Sequence, residues 1–333
     1  MYFLLGICLI FAFLLTLNLL ASVSASVLWR AISGRAARLS SRKQEHIIFG
    51  LRVFPVGAAL IFVVAFLVPA YVLFEPVSSG ETVSLKLALV SLASLLGIGI
   101  AAFRVFRTWH STRALTSNWL NHSEPIVVEG VKIPVFRIFR PFPVIAVVGM
   151  IRPRMFVASQ IFDSLSDDEF RAAIAHEYGH LHAHDNFKRA FLRVCRDMLI
   201  FPLGRELDRA WADNTESAAD EYAAETGVDS TALDLAATLI KIARIAPENA
   251  KPGMPLGSFL IEGNAGDLRQ RVRRLVALSD RRNTSATGSG LVARRFIWLY
   301  AAVVAAVTLS LASNTSLLLA IHNLSESVVA ILQ

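Results

Sequence analysis

Four stretches of this 333-residue chain are long and apolar enough to cross a bilayer, and no other feature narrows its fold as much. A spanning helix needs about 20 mostly apolar residues, because the hydrocarbon core is roughly 30 Å thick. Such runs cover Tyr2 to Leu28, Val53 to Phe74, Val83 to Phe103 and Phe296 to Ala312. Lys86 lies near an end of the third run, where its ammonium can snorkel to the interface. Composition agrees, since 54% of the residues are apolar, more than a soluble domain usually carries. The residues ASVSA at 21–25 resemble a leader-peptidase site. No basic stretch precedes the apolar run, however, and that run exceeds a usual leader core, so the first run is read as an uncleaved span.

The loops set the expected orientation. Between the first two runs lie Arg30, Arg35, Arg38, Arg42, Lys43 and Arg52; between the second and third lie Glu75 and Glu81 with no basic residue. Arg104, Arg107 and Arg113 follow the third run, and Arg281, Arg282, Arg294 and Arg295 precede the fourth. Basic loops stay in the cytoplasm. The N-terminus is therefore expected outside, residues 29–52 form a basic inner loop, residues 104–282 a cytoplasmic domain and 283–295 a linker rich in Ser, Thr and Gly. Residues 53–103 hold spans two and three, 296–312 span four, and 313–333 a short external tail. The net charge of +7 is thereby explained by membrane lipid and topology, and no nucleic acid is expected. Two cysteines, Cys8 and Cys195, form no framework and read as buried thiols.

The cytoplasmic segment reads as α+β. Strand-like runs at Pro125 to Glu129, Val135 to Ile138, Val144 to Val148 and Met155 to Ala158 are separated by Pro and Gly and predict a small antiparallel sheet. Helices are expected from Ser166 through Tyr178, over Leu207 to Thr226, over Thr231 to Ala246 and over Ala265 to Ser279. Ser166-Asp167-Asp168-Glu169 is a capping box, and its acids suit a helix N-terminus.

That first helix carries His176-Glu177-Tyr178-Gly179-His180, the pattern H-E-x-x-H. Residues i and i+4 share a helical face, so two imidazoles can bind one Zn²⁺ while Glu177 reaches a water that the ion activates. Glu216 and Asp220 repeat the i, i+4 spacing on the second helix. Glu216 can complete a three-ligand site, and Asp220 can accept the free N–H of a ligating histidine. The position ten residues after His176 is Asn186, so the third ligand is not the histidine of a metzincin. His184 falls one further turn along and would be a rival ligand if the helix continued; the plainer reading is a helix-end cation. His182 points elsewhere.

The chain resembles the membrane metallopeptidases typified by the β-lactam sensor-transducers BlaR and MecR, and is similar to HtpX-type and CaaX-prenyl-protease-type enzymes. The resemblance rests on PFPVIAVVGMIRPRMFVA at 141–158, on LSDDEF leading into AHEYGHLHAHD, on Glu216 to Asp220, and on the arginine-rich RQRVRRL at 269–275. It implies an α-helical membrane protein with four transmembrane helices and a cytoplasmic α+β zincin-like (gluzincin) protease domain, in a bacterial cell membrane. It implies one Zn²⁺ per chain, a protein or peptide substrate, and hydrolysis with Glu177 as general base. Arg271 and Arg273 are the oxyanion candidates that it offers, although a basic face meeting lipid phosphates fits them equally. The substrate is expected as an extended strand added near Val144 to Val148, a run that also reads as a buried core strand. About 20 residues follow the fourth run, too few for the external sensor domain of the BlaR type. Ser40 to Lys43 spells S-x-x-K by chance in a basic inner loop. Regulatory proteolysis is the expected role; quality control of the HtpX type and a non-catalytic membrane regulator are the alternatives. The intact Glu177 speaks against the last.

Overall fold

In the computed structural model the described residues are 2–76, 82–140, 143–199, 203–228, 230–245, 265–281 and 302–332. The first apolar run lies within α1, Tyr2–Ala36, and the second within one continuous helix made of α2, Ser41–Phe62, a π segment, Val63–Leu67, and α3, Val68–Phe74. Pro69 explains the π segment: its ring lacks an N–H and crowds the carbonyl four residues earlier, so the ladder widens there. The third run begins α4, Leu85–Asn121, where the Ser84 hydroxyl accepts from Leu87 N–H at 3.2 Å. These three helices are long and apolar enough to cross a membrane. A fourth span exists if α11, Ala302–Ala312, and the following helix to Ile331 count as one span despite a bend of 76°. The linker 283–295 and the start of the fourth run lie outside the described residues.

Three of these helices outrun a bilayer. At about 1.5 Å per residue, the 37 residues of α4 reach about 55 Å. The excess of α1 and α2 packs on the segment of chain that follows α4. Trp29, Ala36 and Ile48 form one buried cluster with Leu192, Leu207 and Trp211. The stretch from Trp29 to Arg52 is thus mostly helix, with residues 37–40 as the turn.

The domain begins with β1, Ser123–Ile126, β2, Val135–Ile138, β3, Ile145–Val148, and β4, Arg154–Ala158. The strand order is β1-β2-β4-β3. β1 and β3 run antiparallel to their neighbours, but β2 and β4 are parallel, so the sheet is mixed and not wholly antiparallel as expected. The cause is the β3–β4 hairpin: β4 folds back between β2 and β3, which leaves β3 at the edge. Gly149 makes that hairpin possible, with φ at +106° and no room for a Cβ, which would sit 2.9 Å from Arg152 O.

Helices then follow: α5, Ser159–Ser164; α6, Asp167–Ala183; α7, Asp185–Asp197; α8, Arg205–Thr226; α9, Thr231–Ile245; and α10, Ala265–Arg281. The sheet, α6, α8 and α9 share a core that includes Phe156, Ile161, Ala173, Ala223 and Leu235. After α11 comes α12, Thr315–Leu332, in a stretch that the sequence left without an element. Its Leu318, Ile321 and Val329 pack with Leu67, Ala70 and Tyr71.

Candidate active site

The capping box forms as the sequence predicts. The Ser166 side chain accepts from Glu169 N–H, and the Glu169 carboxylate accepts from Ser166 N–H at 2.8 Å. Lys241 of α9 adds a third hold on Glu169 at 2.7 Å. This fixes the start of α6, and two and a half turns later His176 and His180 emerge on one face with their Nε2 atoms 3.2 Å apart.

Glu216 reaches them from α8 because Gly179 lets the two helices touch. A Cβ on Gly179 would lie 3.1 Å from Ala219 Cα. Glu216 oxygens stand 3.6 Å from His176 Nε2 and 3.6 Å from His180 Nε2. All three side chains are buried, and their ligating atoms lie within 4.8 Å of one another.

Each imidazole is backed by a carboxylate. His176 Nδ1 lies 2.9 Å from Asp220 Oδ1, short in distance but off the ideal hydrogen-bond angle. His180 Nδ1 donates to Asp185 Oδ2 at 2.8 Å. A proton held on Nδ1 leaves the Nε2 lone pair turned towards Glu216, as a metal ligand requires. Asp185 escaped the sequence reading. The helix ends at Ala183, His184 takes a left-handed conformation (φ 57°), and the chain swings Asp185 back beneath His180. The same break takes His184 off the ligating face.

Arg271 of α10 arrives opposite. Its guanidinium donates to both Asp220 oxygens, at 3.0 and 2.7 Å, and lies 3.2 Å from Glu216 Oε2. Its fork is thus directed at the carboxylates behind and beside the histidines. Arg273 is exposed and is not brought to the site. Burial opposes ionisation of Glu216, but His180, Arg271 and His176 outweigh it and hold the carboxyl at about 2. Burial likewise opposes the Asp220 charge, and Arg271 and His176 again prevail, leaving it well below the usual carboxylate range. Glu177 differs. It is fully buried, and burial pushes its carboxyl up to about 8. The Val147 backbone offsets part of that rise, but neither Glu177 oxygen makes a well-formed hydrogen bond, and neither do those of Glu216.

This donor set fits zinc. Two imidazole nitrogens and one carboxylate converge, each imidazole has its supporting acid, and buried carboxylate oxygens point into the cluster without a hydrogen bond. The buried carboxylates of Glu216 and Asp220 share the Arg271 guanidinium, and a divalent cation would add positive charge where the Glu216 oxygens face the two imidazoles.

A helix bearing two histidines one turn apart with a glutamate between them, joined by a glutamate from a second helix, is the donor arrangement that zinc peptidases of the gluzincin kind use. Residues 146–234 match the model of peptidase family M48, so this segment is similar to that family. The matched stretch runs from β3 through α8 into α9 and holds both histidines, Glu177, Glu216, Asp185 and Asp220. Arg271 and the long apolar helices lie outside it. A comparison with curated proteins found no match.

Proposed function

We propose that the chain is an integral membrane zinc metalloendopeptidase that cleaves protein or peptide substrates at the cytoplasmic face, in regulatory proteolysis. The match of residues 146–234 to peptidase family M48 and the three apolar helices support a membrane metallopeptidase. The finer reading is carried by one observation: His176, His180 and Glu216 converge in a buried cluster beside a buried Glu177. These three residues would hold the zinc, which would supply Lewis acidity towards water and a peptide carbonyl.

Glu177 then takes the proton of the attacking water and delivers it to the leaving amine nitrogen. Asp220 and Asp185 fix the imidazole tautomers and ring planes. Arg271 is a positioning residue: it clamps Asp220 and steadies Glu216, a role its geometry supports better than oxyanion stabilisation. The open edge of β3 supports extended-strand binding. Ala158 N–H bonds Val144 O at 2.8 Å, so by alternation the Ile145 and Val147 backbone groups face away from β4. Asn186 Nδ2 takes Val147 O at 3.0 Å, and the side chains of β3 are buried throughout, so this strand is at once core and edge. The layout of three apolar helices before the protease segment and further helices after it supports regulatory proteolysis; membrane quality control is the second reading.

The deciding experiment pairs bound zinc with peptide cleavage on Glu177→Gln. The variant keeps the shape and loses the base, so cleavage is expected to fall by about 10²–10⁴-fold with zinc content unchanged. Normal cleavage at normal zinc content would overturn the hydrolytic assignment. Proteomic comparison of the same pair of strains then separates one lost cleavage product from general accumulation of damaged membrane proteins.

A further inference from the structure

At the far end of the helical bundle, three side chains that the proposed reaction does not use come together. Glu75 follows the last turn of α3, while His322 and Glu326 lie one turn apart on α12. Ser41, at the other end of the α2–α3 helix, donates its hydroxyl to Glu221 of α8. The 34 residues between rise about 50 Å, so this cluster shares nothing with the catalytic site.

One ligating atom from each of the three lies within 4.8 Å of the others. The Glu75 side chain is 2% exposed and His322 12%, with His322 Nδ1 4.0 Å from Glu75 Oε2. That nitrogen is buried and makes no hydrogen bond. Within 4.0 Å, His322 is the only basic neighbour of Glu75 among the described residues. A carboxylate buried so deeply needs a counter-charge at bonding distance. The helices on either side are held by apolar contacts of Tyr71, Leu318 and Ile321, and the Phe74 ring sits 6.0 Å from the imidazole. Apolar packing thus sets the helices that carry the three polar side chains.

We propose that Glu75, His322 and Glu326 form a second divalent-cation site, of zinc-type chemistry, that ties α12 to the end of α3. One imidazole and two carboxylates suit zinc. Histidine and glutamate at i and i+4 present both groups on one helical face, the same device that α6 uses. Ligand atoms bonded to a tetrahedral zinc stand about 3.3 Å apart, so the 4.0 Å between His322 and Glu75 closes by a side-chain rotation of under ~1 Å.

The test titrates the purified full chain in detergent with zinc chloride and counts retained metal. Wild type is expected to hold two ions, and His322→Ala one, with peptide cleavage kept. Glu326→Gln, a milder change, is expected to follow His322→Ala. One ion in wild type, unaltered by His322→Ala, would overturn the proposal and leave an ion pair in its place. A second measurement covers a variant that folds poorly. In His176→Ala, His180→Ala protein, zinc is expected still to raise Tm by binding the folded state, and to lose that effect when His322→Ala is added. No rise in the double variant would equally overturn the site.

Discussion

Asp185 does for His180 what Asp220 does for His176: it holds the ring by Nδ1 and aims Nε2 at the metal position. Losing such a partner typically costs 10–100-fold in metal affinity. Asp185→Ala is therefore expected to weaken zinc binding by about that factor, and Asp185→Asn, which keeps an acceptor oxygen, by less. Competition against a chelator of known affinity measures both. Equal affinity in wild type and Asp185→Ala would remove this residue from the site. The histidines, Glu177, Glu216 and Asp220 were legible because an i, i+4 relation holds on any α-helix. Asp185 was not. Five residues past His180 on an unbroken helix it would point about 140° away. Only the left-handed turn at His184 returns it, and a histidine at positive φ leaves no mark in the hydrophobic pattern.

Between elements, the decisive contact is that of α6 with α8. Gly179 permits it, since any side chain there meets the α8 backbone at Ala219 and the Tyr222 Cβ at 3.3 Å. Gly179→Leu is expected to push α8 outward, at an overpacking cost of about 1–3 kcal/mol, and to withdraw Glu216 from the histidines. Zinc stoichiometry should drop while the helical circular-dichroism signal persists; full zinc at wild-type affinity would mean that α8 approaches by another route. The N-terminus of α6 carries its own pH signature. Burial opposes the Glu169 charge, but Lys241 and Ser166 outweigh it and lower its pKa. A lowered folded pKa contributes stability that is present above the unfolded value of about 4.3 and lost as pH falls through the folded one. Wild type should therefore lose more Tm than Glu169→Gln between pH 7 and acid pH, and an equal loss would show that the cap is not coupled to ionisation. The capping box was readable in four letters. The parallel pairing of β2 with β4 was not, because alternation within a strand says nothing about which neighbour it takes.

For the whole molecule, the apolar runs were legible but their ends were not, since hydropathy stops at the lipid while the helices continue. Those continuations mount the protease domain. Glu45 of α2, 2% exposed, accepts from Lys188 of α7 at 2.9 Å and from Trp211 of α8 at 3.0 Å. Arg52, read from sequence as a loop charge, is buried against Asp208 at 2.8 Å. Arg35, Arg38, Arg42 and Lys43 remain exposed at the α1–α2 turn, as do Arg104, Arg107 and Arg113 on α4. They lie at the end of the bundle that carries the catalytic domain, and Glu75 lies at the other. Basic residues retained inside therefore predict a cytoplasmic catalytic site. A cysteine at exposed Glu124 tests it, because Cys8 and Cys195 are both buried and label poorly. In intact cells Glu124→Cys should resist a membrane-impermeant maleimide and react once the cells are opened. A reporter fused after Gln333 should read as external if α11 and α12 together complete a crossing. A shielded Glu124→Cys with an internal reporter would keep the orientation and make the bent pair re-entrant. Labelling of Glu124→Cys in intact cells would invert the molecule and move its substrates to the opposite compartment.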